Sequence, residues 1–293
     1  MLVALNRPSQ LRIETRDYDG NLTAVTGSVT VTVTDIDGDT VGTGSASSTA
    51  TGVYAYQLPS AVTTNLGVYE ARAVYTIAGQ SSSVTYEVET VGNYLFEINE
   101  LRDFDVAIIA ADYPAHKVRE ARDRATEVLE RAAQVAFASR RKVDTLSGDN
   151  TTRLLLDDVK VTDLHSVTLY GEDNGPDLPD EVLDAIEIAD VEIDGDAGVL
   201  VRTDGIWPRG NRNVVVDYTH GYSFTPAPVK RAAMLLAVEH LVPSALPLRA
   251  TAQATDLGDF RISLANPDAG RDTGIPEVDA VIATWGYRRP RVR

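Results

Sequence analysis

The chain contains no cysteine. That excludes disulfides, thiolate metal sites and a cysteine nucleophile, and it suits a reducing compartment or a particle that does not depend on disulfides. Lysine is scarce: Lys117, Lys142, Lys160 and Lys230 are the whole set, and arginine carries the remaining positive charge. Such a bias follows a GC-rich genome and says nothing about mechanism. Positive charge is the minority altogether, 27 Lys and Arg against 43 Asp and Glu, a formal net charge of −16. An acidic surface keeps a protein soluble and disfavours non-specific binding to nucleic acid. No apolar run reaches the length of a membrane span. The opening residues, Met1 to Gln10, lack the long apolar core of a signal peptide.

Signatures of catalysis are missing too. There is no G-x-S-x-G elbow, no P-loop and no G-x-G-x-x-G fingerprint. The four histidines, His116, His165, His220 and His240, show neither helical nor zinc-ligand spacing. A glycosidase-like carboxylate pair stays open, but with 43 acidic residues such a pair arises by chance. Neither a cofactor nor a metal is expected, and the chain is not expected to be an enzyme.

What is present is enough apolar material for real cores, 43% of 293 residues, at a length that suggests two domains. From Ser9 to about Val91 the chain reads as strands between turns. Leu11, Ile13 and Thr15 alternate with charged residues. Val29, Val31 and Val33 alternate with threonines, a half-buried strand on period two. Asp37-Gly38 closes it as a hairpin-type turn. Val53–Leu58, Val68–Ile77 and Val84–Val91 continue the pattern. Short strands at this spacing predict a β-sandwich of immunoglobulin-like type over residues 1–92.

At Gly92-Asn93 the style changes, and residues 93–293 read as a helical domain with a β-rich insertion. The fold class expected is therefore α+β and multidomain. Asn99 is a candidate cap for a short helix, and a second helical turn is expected from Asp105 to Ala111. Tyr113-Pro114 opens a long helix to about Phe137, with Val118, Ala121, Ala125, Val128, Leu129, Ala132, Val135 and Ala136 recurring at three and four. Its other face carries Glu120 with Arg124 and Glu127 with Arg131, favourably ordered i,i+4 pairs worth tenths of a kcal/mol. The insertion, about 140–222, has strand candidates at Lys142–Leu146, Arg153–Leu156, Val167–Tyr170, Val199–Arg202 and Val214–Tyr218, with Leu178–Ile186 a helical turn or loop.

Pro228 to Leu241 is the stretch around which this second domain is organised. Pro228 suits a first helical turn, Lys230 and Arg231 are expected to be solvated, and Ala232 to Val238 is apolar at every position. A helix apolar all round needs cover on several sides. Met234, Leu235, Leu236 and Val238 are therefore candidates for packing between subunits. Gln253–Ala265 is expected to be extended or a hairpin bent at Gly258. Pro276 begins a last short helix, and beyond Trp285-Gly286 lies a basic extended tail, residues 285–293.

Single residues offer less. Asp35, Asp37 and Asp39 invite a calcium reading, but the further ligands of an EF-hand loop are missing and a hairpin turn is the reading taken. Asp190, Glu192, Asp194 and Asp196 are read as a turn at Asp194-Gly195. His220, between Tyr218 and Tyr222, is either a ligand or base, or a loop anchor. His240 suits a helix C-terminus. Trp207 packs a loop in the plainer reading and stacks on a sugar in the other. The arginine-rich tail suits an acidic groove or strand addition to a partner sheet, with nucleic-acid phosphate the rival.

From about Phe96 to the C-terminus, roughly two thirds of the chain, the sequence resembles the head-to-tail adaptor (head completion, connector) proteins of long-tailed bacteriophages. The stretches that carry the resemblance are Glu100-Leu101-Arg102-Asp103-Phe104, Tyr113-Pro114 before the long helix, NVVVDYTHGY ending at Tyr222, the helix from Val229 to Thr251, and the close from Thr273 to Arg293. The resemblance implies a virion protein made in the bacterial host cytoplasm. It implies a ring, dodecameric by expectation, in the neck beneath the portal, lining the channel for passing genomic DNA without sequence-specific binding and without a membrane. Its partners would be its own copies, the portal protein and a downstream connector or tail terminator protein. Carried over, Tyr287, Arg288, Arg289, Arg291 and Arg293 become portal-contact candidates. Asp256, Asp259, Phe260 and Arg261 become candidates for a loop facing the lumen or tail. The front sandwich is outside the adaptor pattern and looks like a decoration. A carbohydrate-binding or host-adsorption role for it, and a cell-wall hydrolase, are the competing expectations.

Overall fold

The computed structural model describes residues 1–170, 181–183, 185–242, 250–256, 259–264 and 273–287, and of 181–183, 185–186, 250–256 and 259–264 the backbone only. The chain divides into two compact units, Met1–Tyr94 and Leu95–Arg293. Together they make a mixed α and β chain with one large curled sheet and few helices.

In the first unit β1 (Leu2–Ala4), β2 (Gln10–Glu14), β3 (Val29–Thr34), β4 (Thr40–Ala50) and β5 (Val53–Gln57) precede a short helix α1 (Ser60–Thr64), and β6 (Gly67–Ile77) and β7 (Gln80–Val91) follow. They form one seven-stranded sheet in the order β1-β7-β6-β3-β4-β5-β2. Strand β4 curls it: Thr40–Ala46 pair with β3, whereas Ser47–Ala50 pair with β5. The curl lets Leu11 and Ile13 of β2 and Tyr54 and Tyr56 of β5 share a core with Val29, Val31 and Val33 of β3, Ala71 and Ala73 of β6 and Val88 of β7. Period-two alternation puts each of these on the inner face. Two strands escaped the sequence reading. β1 is three residues long, and β4 (TVGTGSASSTA) lacks large side chains because Gly42 and Gly44 lie under Pro59 and Tyr56. At the β3–β4 turn the Asp35 carboxylate accepts the backbone N–H groups of Asp37 (3.1 Å) and Asp39 (2.9 Å). Gly38 takes φ +87° there, a conformation that suits glycine.

The second unit begins with α2 (Ile98–Phe104) and α3 (Ala115–Ala133). The cap of α2 is Glu97, not Asn99: Glu97 and Glu100 form a reciprocal capping box. Asp105 to Ala111 forms turns rather than a helix. Helix α3 stops short of the expected Phe137 because Gln134 adopts a left-handed conformation, φ 54°, which ends the ladder of i→i−4 bonds. The β-rich insertion follows as β8 (Arg140–Leu146), β9 (Arg153–Leu155), β10 (Val161–Leu169), β11 (Glu181–Leu183), α4 (Ala185–Ala189), β12 (Val191–Asp194), β13 (Val199–Arg202) and β14 (Val214–His220). Two sheets result, β11-β10-β14-β8 and β12-β13-β9. Leu154, Val167, Leu200, Trp207, Val214, Val216 and Tyr218 fill one core. The acidic run read as a turn is in fact strand β12 plus its turn, pairing Asp194 with Val199. The stretch Leu178–Ile186, expected to be helical or loop, supplies β11 and the start of α4 within its described part.

The chain then returns to helices with α5 (Ala227–Leu241), a hairpin of β15 (Ala250–Asp256) and β16 (Asp259–Leu264), and α6 (Pro276–Trp285). Leu101, Val118, Ala121, Ala125, Leu129, Phe137, Val229, Ala233, Ala237 and Val278 gather into the helical core. Arg122 and Thr126 of α3 are also buried, and Thr126 donates its hydroxyl to the Arg122 carbonyl at 2.9 Å. Gly221, at φ +97°, links β14 to this core: a Cβ there would stand 2.3 Å from the Ala138 carbonyl oxygen.

Candidate functional site

Helix α5 is partly covered by its own fold. Val229, Ala232, Ala233, Met234 and Ala237 are buried. Met234, one of the four subunit-packing candidates, is thus an interior residue. Leu235, Leu236 and Val238 are half-buried and lean on the same core. Lys230 and Arg231 are not simply solvated. Lys230 Nζ lies 2.7 Å from Glu100 Oε1 of α2. Arg231 pairs with Glu277 of α6 and stands 5.4 Å from the centre of the Phe104 ring. The first turn of α5 therefore fastens α2 and α6. The charge pairs are exposed and each contributes little.

The root of the basic tail is built from three distant stretches. The Tyr287 N–H donates to the Ala133 carbonyl at the end of α3, 2.8 Å, and the Gly286 N–H caps α6 on Ile282 at 2.9 Å. Phe137 stacks on Tyr222 at 5.7 Å, and Trp285 meets Tyr222 edge-on at 6.2 Å. Lys160 Nζ lies 5.5 Å from the same Tyr222 ring. Such ring pairs add about 0.5–1.5 kcal/mol each beyond their buried area. Tyr287 is half-buried against the helical core. Arg288, Arg289, Arg291 and Arg293 lie outside the described residues.

In the β15–β16 hairpin the last described pair is Asp256 with Asp259, preceded by Thr255 with Phe260 and Ala254 with Arg261. The four candidates Asp256, Asp259, Phe260 and Arg261 therefore cluster at one end of a two-stranded hairpin. The expected bend, Gly258, lies outside the described residues.

His220 belongs to a buried polar network that sequence reading missed. Tyr218 donates its hydroxyl to Asp144 Oδ2 at 2.6 Å and lies 3.2 Å from Asp158 Oδ2. Lys142 Nζ bridges Asp158 (2.7 Å) and Asp144 (3.0 Å). His220 Nδ1 faces Asp158 Oδ1 at 3.9 Å and has no hydrogen-bond partner. Burial pushes the His220 pKa below its ordinary value, with Lys142 and Arg140 adding to the effect and Asp158 opposing it. Burial and the two carboxylates drive the Tyr218 hydroxyl far up, so it stays protonated. Arg141 pairs with Asp217, and Arg140 with Glu130 at 2.6 Å. The only trace in sequence is the basic run Arg140, Arg141 and Lys142, which the register sets opposite His220, Thr219 and Tyr218, while its acidic partners come from Asp144, Asp158, Asp217 and Glu130. The arrangement locks β8 to β14 and to the Asp157-Asp158 turn, and it favours the anchoring role for His220. His165 Nε2 meets Thr219 Oγ1 at 2.7 Å, and His240 is exposed at the end of α5.

Trp207 is fully buried and donates its indole N–H to the Thr152 carbonyl at 3.1 Å. It packs the insertion core and offers no stacking face. Among the described residues no three His, Asp or Glu side chains are placed to hold a metal. No described helix is long and apolar enough to cross a membrane.

No family model and no curated protein matches the chain. Chains of solved assemblies do. One, from the neck of an empty GTA particle computed with C6 symmetry, is 17% identical over 67% of this chain and 91% of that chain, with a TM-score of 0.46. Another, from the virion of a native gene transfer agent (GTA) particle, is 18% identical over the same shares, with a TM-score of 0.40. Likeness at this level fixes neither family nor partner.

Proposed function

We propose that this chain is a structural, non-enzymatic virion protein that forms a ring in the neck of a tailed particle, joins the portal to the tail, and lines the channel through which DNA passes. The observation that carries the reading is the way the helical core closes on itself. The end of α3 and the residue after the α6 cap meet at Ala133 and Tyr287, and in sequence Tyr287 is followed by Arg288, Arg289, Arg291 and Arg293 on a chain that is otherwise acidic. A packed body followed in sequence by a basic segment suits an acidic groove on a neighbour. A hairpin, β15–β16, leaves the same core between α5 and α6. The motif order that resembles head-to-tail adaptors runs through the same elements. A net charge of −16 keeps a duplex from adhering to the channel wall.

For the first unit we infer an immunoglobulin-like accessory domain. Its strands group as β2-β5-β4 and β3-β6-β7, the B-E-D and C-F-G neighbours of that architecture, while β1 pairs with β7 in parallel. No described feature of it favours sugar binding.

The test is removal of residues 288–293 from the full chain, which leaves the Tyr287 to Ala133 bond in place. Portal attachment is expected to be lost while the body stays folded. Retained attachment overturns the tail mechanism. Labelling the N-terminal domain in purified virions is expected to mark the neck. Label at the tail tip or over the capsid overturns the assignment.

A further inference from the structure

Between α2 and α3 the chain exposes a run of apolar side chains on a rigid loop. Val106 is 87% and Ile109 51% exposed, and Ala107, Ala110 and Ala111 beside them are exposed as well. Contiguous exposure of this kind is unusual on a soluble surface and marks contact sites. The loop is held in one shape. Ile108 is buried in the helical core. The Asp105 carboxylate accepts the Ala107 N–H at 2.9 Å. Ile108 donates its N–H to Asp105 at 3.0 Å, and Tyr113 to Ile109 at 2.9 Å. Arg102 reaches across to the Tyr113 carbonyl at 3.3 Å. A pre-organised loop loses little entropy on docking. Its rim is acidic, with Asp103 and Asp112 exposed on either side.

The matching surface is on the chain itself. The exposed face of α3 carries Lys117, Arg119, Arg124 and Arg131 against Glu120 and Glu127, a cationic excess on an acidic protein. Lys117, Arg124 and Arg131 recur every seven residues, so they lie along one stripe that drifts by only about 20° per repeat. Long cationic side chains present apolar stems below their charged heads. Such a stripe suits an apolar plug with a carboxylate rim: stems receive Val106 and Ile109, and heads meet Asp103 and Asp112.

We propose that the loop from Asp105 to Asp112 is a preformed plug that seats on the solvent face of α3 of a neighbouring copy. Plug and seat are different surfaces, so the contact is head-to-tail and closes into a ring where the rotation permits. The inference rests on the ring reading and names its interface.

The experiment places a photoreactive benzophenone amino acid at position 106 of the full chain, with isotope-labelled and unlabelled copies mixed. Cross-links are expected between copies, into peptides from residues 115–133. Val106→Asp combined with Ile109→Asp is expected to weaken self-association by about a hundredfold with the far-ultraviolet circular dichroism unchanged. Asp112→Lys weakens it as well, and Arg124→Glu added to the same chain restores it. Cross-links confined to one copy or directed to other elements overturn the proposal, as does a double variant that associates like the parent. Rings whose position 106 cross-links elsewhere sink the plug and leave the ring reading standing. A chain that stays monomeric at every concentration and is absent from necks sinks both.

Discussion

The two β-rich regions of this chain solve the same packing problem by different means. In the first unit the buried polar residues are threonines, Thr15, Thr63 and Thr90, and the core is Val, Ile, Leu, Ala and Tyr in strict alternation. In the insertion the sheet interior also holds Asp144, Asp217, Asn213, Thr219 and His220. A core of the first kind is held by apolar burial and tolerates changes of pH and salt. One of the second kind depends on every polar partner being present, because a buried charge left alone is costly.

The largest expected difference comes from Trp207→Ala. It empties the largest buried side chain of the insertion and removes one of the two donors to the Thr152 carbonyl, which keeps the Arg202 N–H at 2.9 Å. A loss of about 3–5 kcal/mol is expected, seen as an earlier urea transition and faster hydrogen exchange in Val199–His220. Exchange in Val29–Val33 should not move. An equal change in both regions would erase the distinction.

A finer comparison uses the same atom in both regions. Tyr218→Phe removes the hydroxyl donated to Asp144 Oδ2 and leaves that carboxylate with Lys142, and about 1–3 kcal/mol should be lost. Tyr54→Phe removes an acceptor for the Val25 N–H at 3.1 Å, at a partly buried site where water can replace it. Its expected cost is about 0.5–1 kcal/mol. Thermal melts of the two variants decide it, and a Tyr54 variant hit as hard as the Tyr218 variant would refute the contrast.

The smallest effect is in pH. Because burial holds the His220 pKa below its ordinary 6.5, the unfolded chain takes up the proton first as pH falls. Stability of the insertion is therefore full above about pH 6.5, declines below it, and levels off once pH is under the folded value. Burial works against ionising Asp158, yet the charge on His220 in acid and the Lys142 ammonium lower its pKa. Its contribution is lost further down, as pH falls from its ordinary 3.8 through the folded value. His220→Asn should flatten the decline between pH 7 and 5, and the first unit should show none. Melting curves across that range test it, and a decline of the same steepness in the His220→Asn variant would refute it.

Legibility crossed this division: β8, β9, β10, β13 and β14 of the insertion overlap the strands expected there, whereas β1 and β4 of the first unit were missed. Strands β2, β3, β5, β6 and β7 could be read because valines and tyrosines alternate with polar residues, and α3 and α5 because their apolar spacing is helical. β4 was hidden by its small side chains. β12 was hidden because its outward acids look like a ligand cluster until Val191 and Ile193 are seen to alternate with them. The polar network could not be read, since it depends on the register that sets Lys142 opposite Tyr218. Pairwise register between strands about seventy residues apart is a tertiary fact. The same holds for the loop at Val106 and Ile109: the residues suggested a helical turn, and only the fold leaves them outside.

The junction of Tyr287 with Ala133 has a mechanical meaning. Traction applied at Tyr287 passes straight into the ends of α3 and α6 and, through Trp285, into the Phe137–Tyr222–Trp285 rings. A residue coupled this way reports tension as strain in the helical core, so its own hold and the packing around it yield together.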